Sequence, residues 1–593
     1  MLAPRFRWSF PEPIEIDSRL LEAGRRADLS ERVLGVLVRR GVRDPDEIER
    51  FFGPPEAALH DPRLLPDADV FLDRVRWAAG RGERVLVFGD FDADGLTGLA
   101  IIVRALRSLG VGALSYVPSR LDEGHGLSLA AVESAVEAGA SVVITVDCGS
   151  TSGTEIEVAR GRGLDVLVTD HHRVPESMPP ALALVNPQRS DASYPDRRLA
   201  GSGVAFKLAQ LLLADQPGGQ RLALELADLA TIGTVADVAP ILGENRAIAR
   251  IGLEQLRSAP RAGIAALLAR AGLDAAAVDL ESIAFVLAPR LNAAGRVGEA
   301  FDAARLLLTD DPAEAAELAS VLEAANAMRR DLMRAAVAEA RVSPDAVDDA
   351  PATIVRGPWP VGIVGLIAGK LAEERGRPAV VGADLGSLVR ASCRGDGRLH
   401  LADAVAACGD LLLRHGGHAG AAGFEIPSEN WDAFRKRFLR LAAESDPVEE
   451  PRALHVDLAL SAIEIDYALV RDLGRLAPAG TGNPDPLVAI LGLQVVRARE
   501  ATGGHSQLVL RRERDVLDGI AFGWPELAAA VSEGDRIDVL GRVVSRRFGG
   551  IESIQLEIRD AAPTGQHAPP PLRTGSGTAG PTIRDPVAPG RAS

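Results

Sequence analysis

The sequence is poor in cysteine, in aromatic residues and in long apolar runs. Its three cysteines, Cys148, Cys393 and Cys408, show no paired spacing, which argues against a disulfide framework or a zinc site and favours a reducing compartment. Aromatic residues make up only 4% of the chain, so the cores must be built from Leu, Val, Ile and Ala. The start, MLAPRFRWSF, lacks the apolar core of a signal peptide, and no run is long enough to span a bilayer. We therefore expect a soluble cytoplasmic protein without a membrane partner.

An excess of basic charge is also missing. The chain has 66 Lys and Arg against 82 Asp and Glu, which gives a net charge of -16. Affinity for phosphates comes largely from Lys and Arg, so this balance argues against a general nucleic-acid coat protein. It does not exclude a nucleic-acid enzyme, because such an enzyme can hold an acidic, metal-filled centre beside a local basic track.

The length of 593 residues is too great for one hydrophobic core, so several domains are expected. From residue 84, β-branched runs such as RVLVFG, SVVITV and DVLVT alternate with helical stretches. That alternation is typical of a doubly wound α/β fold with buried parallel strands. It returns after residue 351, and short strands with frequent turns then favour a small β-barrel. We predict six regions: an N-terminal helical segment (1–75), an α/β lobe (76–250), a helical connector (251–345), a second, smaller α/β lobe (346–446), a β-barrel (450–561) and a disordered tail (562–593).

The strongest chemical signal is the run GDFDADG, which directly follows the strand RVLVF. Its three carboxylates, Asp90, Asp92 and Asp94, stand at alternate positions and repel one another. A divalent cation such as Mg²⁺ or Mn²⁺ would relieve that repulsion, because oxygen ligands suit both ions. A solvated acidic turn is the alternative. In a doubly wound sheet, ligands gather at the carboxyl ends of the strands, where this run lies.

Three further signals stand at the ends of predicted strands or helices. Asp147 follows SVVITV, the run Asp170-His171-His172 follows DVLVT, and Asp237 closes a strongly apolar helical segment. Each has an ordinary explanation, such as a helix cap or a surface histidine pair, but their joint occurrence makes those explanations improbable. Together they predict hydrolysis of a phosphate ester by two cations about 3.5–4 Å apart, which activate a water and stabilise the leaving oxygen. Asp147 is the most plausible bridge between the two ions.

These motifs resemble those of the DHH phosphoesterase family, most closely its branch of single-stranded-DNA-specific 5′→3′ exonucleases. The resemblance covers most of residues 80–560 and implies two Mn²⁺ or Mg²⁺ ions as cofactors. Phe88 stands where the pyrophosphatase branch of the family has a ligand histidine, which favours the exonuclease branch. The metal ligands that it implies are Asp92, Asp94, Asp147, His171 and Asp237. It implies catalytic roles for Asp147, His171 and His172, with His172 contacting the scissile phosphate, whereas Asp90 receives no role.

Other segments resemble the same branch and imply contacts with the substrate. Arg120 lies in SRLDEGHGLS and Arg296 in PRLNAAGR, and the planar fork of an arginine matches a phosphate. Exposed arginines in a turn and at a helix start are the alternative for these two segments. GGHAGAAG is the signature of the DHH-associated domain, with His418 as its polar contact. A tight turn followed by a close-packed helix is the alternative for this segment. Ser392 and Arg394, in RASCRGDG, stand where the family contacts a substrate phosphate.

Two positions depart from the family pattern, because Cys393 stands where Gly is usual and Pro360 where His is usual. They leave the detailed geometry of the second lobe open. The segments GTGNP and IAFG resemble the OB-fold of the exonuclease branch, which implies a single-strand-binding barrel. Candidate contacts there, with Phe548 as a possible stacking platform, are Arg511, Arg512, Arg542, Arg546 and Arg547. For any one arginine, solvation of an edge strand is the simpler explanation.

The run Gly201-Ser202-Gly203 partly resembles a dinucleotide-binding fingerprint. It has no third glycine, and no strand directly precedes it, so the match is weak. We interpret the run as a tight turn that opens a helix.

The combined motifs predict a single-strand-specific 5′→3′ DNA exonuclease of recombination and repair, acting beside a helicase and single-stranded-DNA-binding protein. The 5′-terminal phosphate of the DNA strand would be held by Arg120, Arg296, Ser392 and Arg394. One alternative is a hydrolase of pyrophosphate, short oligonucleotides or cyclic dinucleotides, which would need neither the barrel nor PRLNAAGR. A second is a non-catalytic scaffold at the replication fork, although relatives of that type tend to lose metal ligands and none of the five is missing.

Overall fold

The structure is a computed structural model that describes residues 2–120, 122–346, 349–395, 397–445, 453–548 and 551–567. The predicted disordered tail lies outside the described residues from position 568 onward, and the side chains of Arg547 and Phe548 also lie outside them. The described residues up to 58 and from 453 onward form one compact unit, and those from 59 to 445 form another. No helix in the described part of the chain has the length and apolar character needed to cross a membrane.

The N-terminal segment contains a short strand in addition to the predicted helices. Each of the α-helices before residue 58 begins after an Asp or Ser whose side chain accepts a backbone N–H, namely Asp17, Ser30 and Asp44. The elements are β1 (Arg7–Ser9), α1 (Ser18–Arg26), α2 (Glu31–Arg39) and α3 (Pro45–Phe52).

The first α/β lobe is built on a five-stranded sheet in which all neighbouring strands are parallel. The strands are β2 (Arg84–Gly89), β3 (Gly112–Tyr116), β4 (Ala140–Val146), β5 (Asp165–Thr169) and β6 (Ala183–Val185). The helices are α4 (Ala68–Arg81), α5 (Ala93–Ser108), α6 (Leu129–Glu137), α7 (Gly153–Gly161) and α8 (Gly201–Leu213). The spatial order β3-β2-β4-β5-β6 places a reversal of winding between β2 and β4, where such folds bind their ligands. The doubly wound parallel sheet is confirmed.

A helical region follows, and it begins at Gly219, before the predicted connector of 251–345. Its helices are α9 (Gly219–Leu224), α10 (Ala227–Ala236), α11 (Gly243–Ser258), α12 (Ala262–Ala271), α13 (Leu280–Ser282), α14 (Ala288–Val297), α15 (Ala300–Leu308) and α16 (Pro312–Arg341). Buried residues of α8, α10, α11 and α14 share one core with β2 and β4 of the sheet. This shared core fixes the helices against the sheet edge.

The second lobe has a mixed five-stranded sheet in the order β10-β11-β9-β8-β7, in which β7 and β8 are parallel and the other pairs antiparallel. Its strands are β7 (Thr353–Gly357), β8 (Ala379–Asp384), β9 (Leu388–Arg394), β10 (Arg414–Gly417) and β11 (Ala421–Pro427). Its helices are α17 (Val361–Arg375), α18 (Leu401–Ala406) and α19 (Trp431–Glu444). Trp431, Phe434 and Phe438 fill its core, so part of the scarce aromatic content is concentrated here.

The C-terminal region forms a barrel closed by five strands, β14-β15-β16-β18-β17, with β17 returning to pair with β14. Its elements are β12 (Ala453–His455), β13 (Leu458–Leu460), α20 (Tyr467–Gly474), β14 (Val488–Ala501), β15 (His505–Arg512), β16 (Asp515–Ala521), α21 (Glu526–Ala530), β17 (Arg536–Phe548) and β18 (Ile551–Pro563). The run LHVDLAL, predicted as one strand, is divided between β12, which pairs with β1, and β13, which pairs with β14. Strand β18 extends two residues into the stretch predicted as a disordered tail.

Candidate metal centre and phosphate site

Three aspartates leave the first sheet side by side. Gly89 pairs with Val146 and Val146 with Thr169, so β2, β4 and β5 end at the same level. Asp90, Asp147 and Asp170 come next, and each backbone N–H donates to the last carbonyl of the neighbouring strand, at 3.3, 3.0 and 3.1 Å. The parallel register therefore converts three distant sequence positions into one row of carboxylates.

Asp147 and His171 face each other at the centre of this row. Asp147 is buried and has a left-handed backbone with φ of 63°. Its Oδ1 lies 3.1 Å from His171 Nε2. Neither atom has a hydrogen-bond partner among the described residues, although both are buried. Buried acceptors without partners are costly, and a cation between them would satisfy both.

The other predicted ligands lie around this pair. His171 Nε2 is 3.9 Å from Asp94 Oδ2, and its Nδ1 is 4.0 Å from Asp237 Oδ2. Asp92 forms a second group with Asp90 and Asp147, in which the ligand atoms lie within 4.8 Å of one another. The five residues predicted as ligands are thus brought into one cluster. Asp147 belongs to this second group and also to one with His171 and His172, as a bridging position requires.

The electrostatics of the cluster favour a bound cation. Burial, followed by the charges of Asp94 and Asp92, raises the pKa of Asp147 well above its ordinary range. Burial and the neighbouring carboxylates likewise raise the pKa of Asp92 to about 6 and that of Asp237 to about 8. Carboxylate oxygens with one imidazole match the ligands that Mg²⁺ and Mn²⁺ take. The residues present therefore fit a divalent-metal site.

The helix start at Gly201 holds one of these carboxylates. Asp94 Oδ2 accepts the backbone N–H of Gly201 at 2.7 Å, and its Oδ1 accepts that of Ser202 at 2.9 Å. The first N–H groups of a helix have no partner within the helix and carry partial positive charge, so the start of α8 holds the Asp94 side chain in place. The run interpreted as a turn that opens a helix does open α8, but its contact with the metal cluster was not predicted. A helix start facing a carboxylate 107 positions away leaves no local sequence signal.

Replacing Gly201 with Ala is expected to lower kcat for the predicted hydrolysis of a phosphate ester by about tenfold to a hundredfold. An ideal Cβ at this position would lie 2.6 Å from Asp147 Cβ and 2.7 Å from its Oδ1, so the carboxylate must move, and small displacements of reacting groups have effects of that size. Gly203→Ala, two positions along α8, is the matched control, since its nearest neighbours are side-chain atoms of Leu199 at 3.4 Å. Equal rates for the two variants would contradict the proposed position of Asp147 in the active site.

His172 is held by a partner that was not predicted. Its Nδ1 lies 2.8 Å from Asp170 Oδ1, which also accepts the backbone N–H groups of both histidines. Asn186, which follows β6, donates to the His172 carbonyl at 2.9 Å and to Ser150 Oγ at 3.0 Å. The hydrogen bond with Asp170 raises the pKa of His172 to about 9, in spite of its partial burial. The sequence signal for Asp170 was its position directly before both histidines.

Asp90, which had no predicted role, anchors the loop that carries Arg120. Its Oδ2 lies 2.8 Å from His125 Nδ1, and its Oδ1 accepts the N–H of Phe91 at 2.8 Å. The centroid of the Phe91 ring lies 4.5 Å from that of the His125 imidazole and 4.0 Å from the guanidinium carbon of Arg120. The run SRLDEGHGLS is therefore tied to the acidic motif, and its turn is not merely a solvated one.

Three arginines from separate elements form a cationic cluster in the same unit. They are Arg120 after β3, Arg296 on α14 and Arg394 at the end of β9. Burial, followed by the charges of Arg120 and Arg329, lowers the pKa of Arg296 to about 9. Burial also lowers the pKa of Arg120, against the attraction of Asp92 and Asp90 and with a smaller contribution from the charge of Arg394. Within the described residues no carboxylate forms an ion pair with any of the three. Mutually repelling, half-buried cations without such partners fit a phosphate.

The PRLNAAGR segment packs against the acidic motif. Asn292 Oδ1 accepts the N–H of Ala93 at 2.7 Å, and a Cβ at Gly295 would lie 2.9 Å from the Phe91 carbonyl oxygen. Arg290 is almost fully buried and pairs with Glu323 at 2.6 Å. The alternative of a helix start with exposed arginines is therefore wrong for this segment.

In the second lobe, Ser392 and Arg394 lie on one face of β9. An ideal Cβ at Gly365, on α17, would lie 3.0 Å from Arg394 Nη2 and 3.5 Å from Ser392 Oγ. Cys393 points to the opposite face and is buried in the core of the lobe, and Pro360 is the residue that precedes α17. The departure at Cys393 therefore does not alter the face that carries Ser392 and Arg394. His418 is exposed at the turn between β10 and β11, where its backbone N–H donates to Ala421.

The candidate arginines of the barrel mostly have partners within the chain. Arg542 pairs with Glu557 at 2.5 Å and with Asp485, and Arg546 pairs with Glu557 at 2.8 Å. Arg511 donates to Gln494 Oε1 at 3.0 Å, and Arg512 donates to the Leu491 carbonyl at 3.1 Å. These contacts favour a structural role for Arg542 in particular.

Comparison with known families and proteins is consistent with these regions. The family model "DHH family, N-terminal domain" matches residues 84–234, "DHHA1 domain" matches 350–444 and "RecJ OB domain" matches 456–560. Single-stranded-DNA-specific exonuclease RecJ of Bacillus subtilis is 34% identical over 574 residues, which are 95% of this chain and 71% of that protein. The crystal structure of RecJ in complex with Mn²⁺ from Thermus thermophilus is similar with a TM-score of 0.79 and 31% identity, over 95% of this chain and 81% of that one. The Mg²⁺ complex of the same protein gives a TM-score of 0.75 and 29% identity, over 95% and 79%.

Proposed function

Because this chain belongs to the RecJ family of single-stranded-DNA-specific exonucleases, we propose that it hydrolyses single-stranded DNA from the 5′ end with two Mn²⁺ or Mg²⁺ ions. One observation carries the proposal: a cluster of carboxylates and imidazoles that suits divalent cations shares a unit with three half-buried arginines that suit a phosphate. A nuclease that starts at a strand terminus needs both, one to cleave the ester and one to hold the end.

The cations would be held by Asp92, Asp94, Asp147, His171 and Asp237, with Asp147 shared between them. When bound, they would supply Lewis-acid stabilisation of charge on the phosphate and lower the pKa of a water. The protein's own contribution is to keep five ligands in place before the substrate arrives. Asp94 is fixed by α8, His171 by the end of β5 and Asp237 by the end of α10.

The polarity would come from Arg120, Arg296 and Arg394, with Ser392 as a hydroxyl donor. A 5′-terminal phosphate carries one more ionisable oxygen than an internal phosphodiester, so a site with three cations prefers it. Burial strengthens this preference, because charge interactions grow as water is excluded. His418, at the turn of the adjacent hairpin, would add a contact from the second lobe.

His172 would donate a hydrogen bond to the scissile phosphate. The Asp170 contact at Nδ1 leaves Nε2–H as the free donor, and this carboxylate raises the pKa of His172 to about 9 in the metal-free protein. A cationic donor aimed at a phosphate oxygen stabilises the charge that grows in the transition state.

His172→Gln is expected to lower kcat by about a hundredfold, because a neutral amide cannot replace a charged donor at the phosphate. The metal-induced rise in melting temperature should be retained, because His172 is not one of the five proposed ligands. Single-turnover rates and thermal melting with and without Mn²⁺ measure the two properties separately. A variant that kept full activity, or that lost its response to the metal, would contradict the assignment.

The principal alternative is hydrolysis of small phosphoesters. Phe88 is buried and stacks on Tyr116 with ring centroids 5.7 Å apart, so the position that carries a ligand in the pyrophosphatase branch is occupied by packed apolar surface. The decisive assay offers a 5′-phosphorylated single strand, a blunt duplex and pyrophosphate, each with Mn²⁺. Preferential release of mononucleotides from the single strand is expected, and activity confined to pyrophosphate or dinucleotides would refute the proposal.

We also propose a role in DNA recombination and repair, with a helicase and single-stranded-DNA-binding protein as partners that expose and cover the substrate. A cytoplasmic location follows from that role in bacteria, the source of the relatives named above. Co-purification of either partner with the tagged full-length chain, tested with and without nuclease treatment, separates direct contact from association through DNA.

A further inference from the structure

Helix α14 contacts the acidic motif and contributes to the cationic cluster with residues that lie one helical turn apart. Asn292 Oδ1 accepts the backbone N–H of Ala93 at 2.7 Å, and Arg296, four positions further along α14, is one of the three clustered arginines. Four residues of an α-helix span about 6 Å along its axis. A short, regular segment therefore connects the acidic motif to a group proposed to hold the terminal phosphate.

The bond from Asn292 completes the start of α5, the helix that follows the proposed ligand Asp92. Asp92 Oδ1 accepts the N–H groups of Asp94 and Gly95, both at 3.1 Å, whereas the N–H of Ala93 is bonded to Asn292. The first N–H groups of a helix have no acceptor within the helix, so this donor depends on a side chain from α14. The position of Asn292 therefore acts directly on the segment that carries Asp92 and Asp94.

Two close backbone contacts fix α14 against its neighbours. A Cβ at Gly295 would lie 2.9 Å from the carbonyl oxygen of Phe91 in the acidic motif. A Cβ at Gly362, on α17, would lie 2.4 Å from the carbonyl oxygen of Arg296, and Arg296 Nη1 donates to the Gly362 carbonyl at 3.1 Å. Neither contact leaves room for a methyl group, and interiors packed this closely transmit displacement.

Helix α17 extends the connection to the second lobe. A Cβ at Gly365 would lie 3.0 Å from Arg394 Nη2 and 3.5 Å from Ser392 Oγ. Gly365 and Gly362 are three positions apart, so they lie on the same face of α17. The face that packs against Arg296 therefore also contacts the side chains of β9. The cationic cluster is thus attached to the acidic motif through α14 and α17.

We propose that α14 is a rigid spacer between the terminal-phosphate site and the metal centre, with Asn292 as the positioning residue that connects the two. A terminal phosphate held by Arg296 and Arg394 then fixes the acidic motif, so that the first phosphodiester bond is aligned with the metal ligands. Binding energy from a remote part of a substrate can be used in this way to raise kcat. The inference rests on the proposed function, since it takes the 5′-phosphorylated strand from there. It adds that the terminal phosphate accelerates the chemical step as well as selecting the end.

The first test compares kcat in Mn²⁺ for single strands with 5′-phosphate and 5′-hydroxyl ends, because the ratio of the two values measures the acceleration by the terminal phosphate. This ratio is expected to fall about tenfold in Asn292→Ala and in Gly295→Ala, since a misplacement of about 1 Å can cost up to about a hundredfold. The equilibrium preference for the phosphorylated strand, measured by fluorescence anisotropy with Mn²⁺ chelated, should stay unchanged. A contact that only stabilises the fold would not separate these two quantities.

Two further variants serve as controls for the kinetic test. Asn292→Asp keeps an oxygen that accepts the N–H of Ala93, and it should retain most of the ratio. Gly298→Ala is the matched control for Gly295→Ala, because the atom nearest to its Cβ would be the Ala294 carbonyl oxygen at 3.5 Å. It should leave the ratio unchanged.

A second measurement does not depend on turnover. Hydrogen–deuterium exchange of the peptide that covers residues 91–95 is followed with and without thymidine 5′-monophosphate, with Mn²⁺ chelated. The monophosphate should slow exchange of this peptide in the wild type and in Gly298→Ala, but not in Asn292→Ala. Melting curves identify any variant that fails to fold. The response of the wild type then decides, since a rigid spacer must transmit phosphate binding to this peptide.

The outcomes separate this inference from the proposed function. If the wild type degrades the strand but Asn292→Ala and Gly295→Ala keep the full ratio, or lose activity equally on both ends, the inference is wrong and the function stands. An exchange rate that the monophosphate leaves unchanged in the wild type also overturns the inference. If the wild type does not hydrolyse the strand, but the monophosphate slows exchange only when Asn292 is present, the function is wrong and the spacer stands.

Discussion

Asp147→Asn is expected to lower kcat on 5′-phosphorylated single-stranded DNA by at least about a thousandfold. The residue stands in two ligand groups of the cluster, and its Oδ1 faces His171 Nε2 at 3.1 Å with no other partner. Loss of this carboxylate removes the group proposed to be shared by the two cations. Removal of one electrostatic group at a reacting centre commonly costs about 100- to 1000-fold, and a shared ligand affects both ions.

The same variant is expected to melt at a higher temperature than the wild type when no metal is present. Burial and four neighbouring carboxylates raise the pKa of Asp147 far above its ordinary value of 3.8, so the folded protein binds this proton more tightly than the unfolded chain. The stability of the metal-free wild type therefore falls as pH rises above 3.8. The neutral amide of Asn removes the cost of a buried, ionised carboxylate. With Mn²⁺ present, the wild type should instead melt at the higher temperature, because it gains the binding free energy of the metal.

Asn is a better substitution here than Ala. The left-handed backbone at Asp147, with φ of 63°, suits Asn, whereas Ala would add strain of roughly 1 kcal/mol. The Asn variant can then be compared with the wild type without the complication of a folding defect. Calorimetry with and without Mn²⁺ checks both halves of the prediction, and a variant that still turned over, or that kept the full metal-induced stabilisation, would show that Asp147 does not bridge.

Arg394→Ala is expected to lower kcat/KM on a 5′-phosphorylated strand by between about 100- and 1000-fold. Arg394 belongs to a cluster of three half-buried cations, and its loss removes a charged donor from the proposed site of the terminal phosphate. Arg394→Lys should recover only part of the rate, because an ammonium cannot reproduce the bidentate fork.

The substrate supplies the internal control for this variant. On a strand with a 5′-hydroxyl end the loss should be much smaller, since the group that Arg394 would bind is absent. Arg356→Ala is a matched control in the same lobe, because the guanidinium of Arg356 lies 5.8 Å from the Trp431 ring and takes no part in the cluster. Equal losses on phosphorylated and unphosphorylated ends would place Arg394 outside the terminal-phosphate site.

Much of the metal centre could be predicted from sequence because parallel sheets obey a simple rule. A buried strand is recognisable as a β-branched run, and residues that follow such runs meet at one edge of the sheet. Asp92, Asp147 and His171 follow β2, β4 and β5 in this way. Asp237 was harder, since it ends α10, and periodicity alone does not say toward which strand a helix end points.

The contacts that hold the proposed metal ligands and their neighbours in place could not be predicted from local sequence patterns. Gly201 was interpreted only as the start of a helix, yet its N–H binds Asp94 and its missing side chain leaves room for Asp147. The pairs Asp90–His125 and Asp170–His172 depend on loop conformations that the spacing of residues does not specify. In the N-terminal segment, the short strand β1 was not predicted, because its partner β12 lies more than 400 positions away in the sequence.

The sequence by itself determined the order of the lobes, the strands that present the carboxylates and, through resemblance, the family. These features are encoded locally, in hydrophobic periodicity and in short motifs. Only the tertiary structure decided which charged groups meet. Arg120, Arg296 and Arg394 come from a loop, a helix and a strand, and their convergence follows from the packing of α14 against both the acidic motif and α17. The physical reason is that packing across distant segments depends on the shape of the whole core, which no local pattern contains.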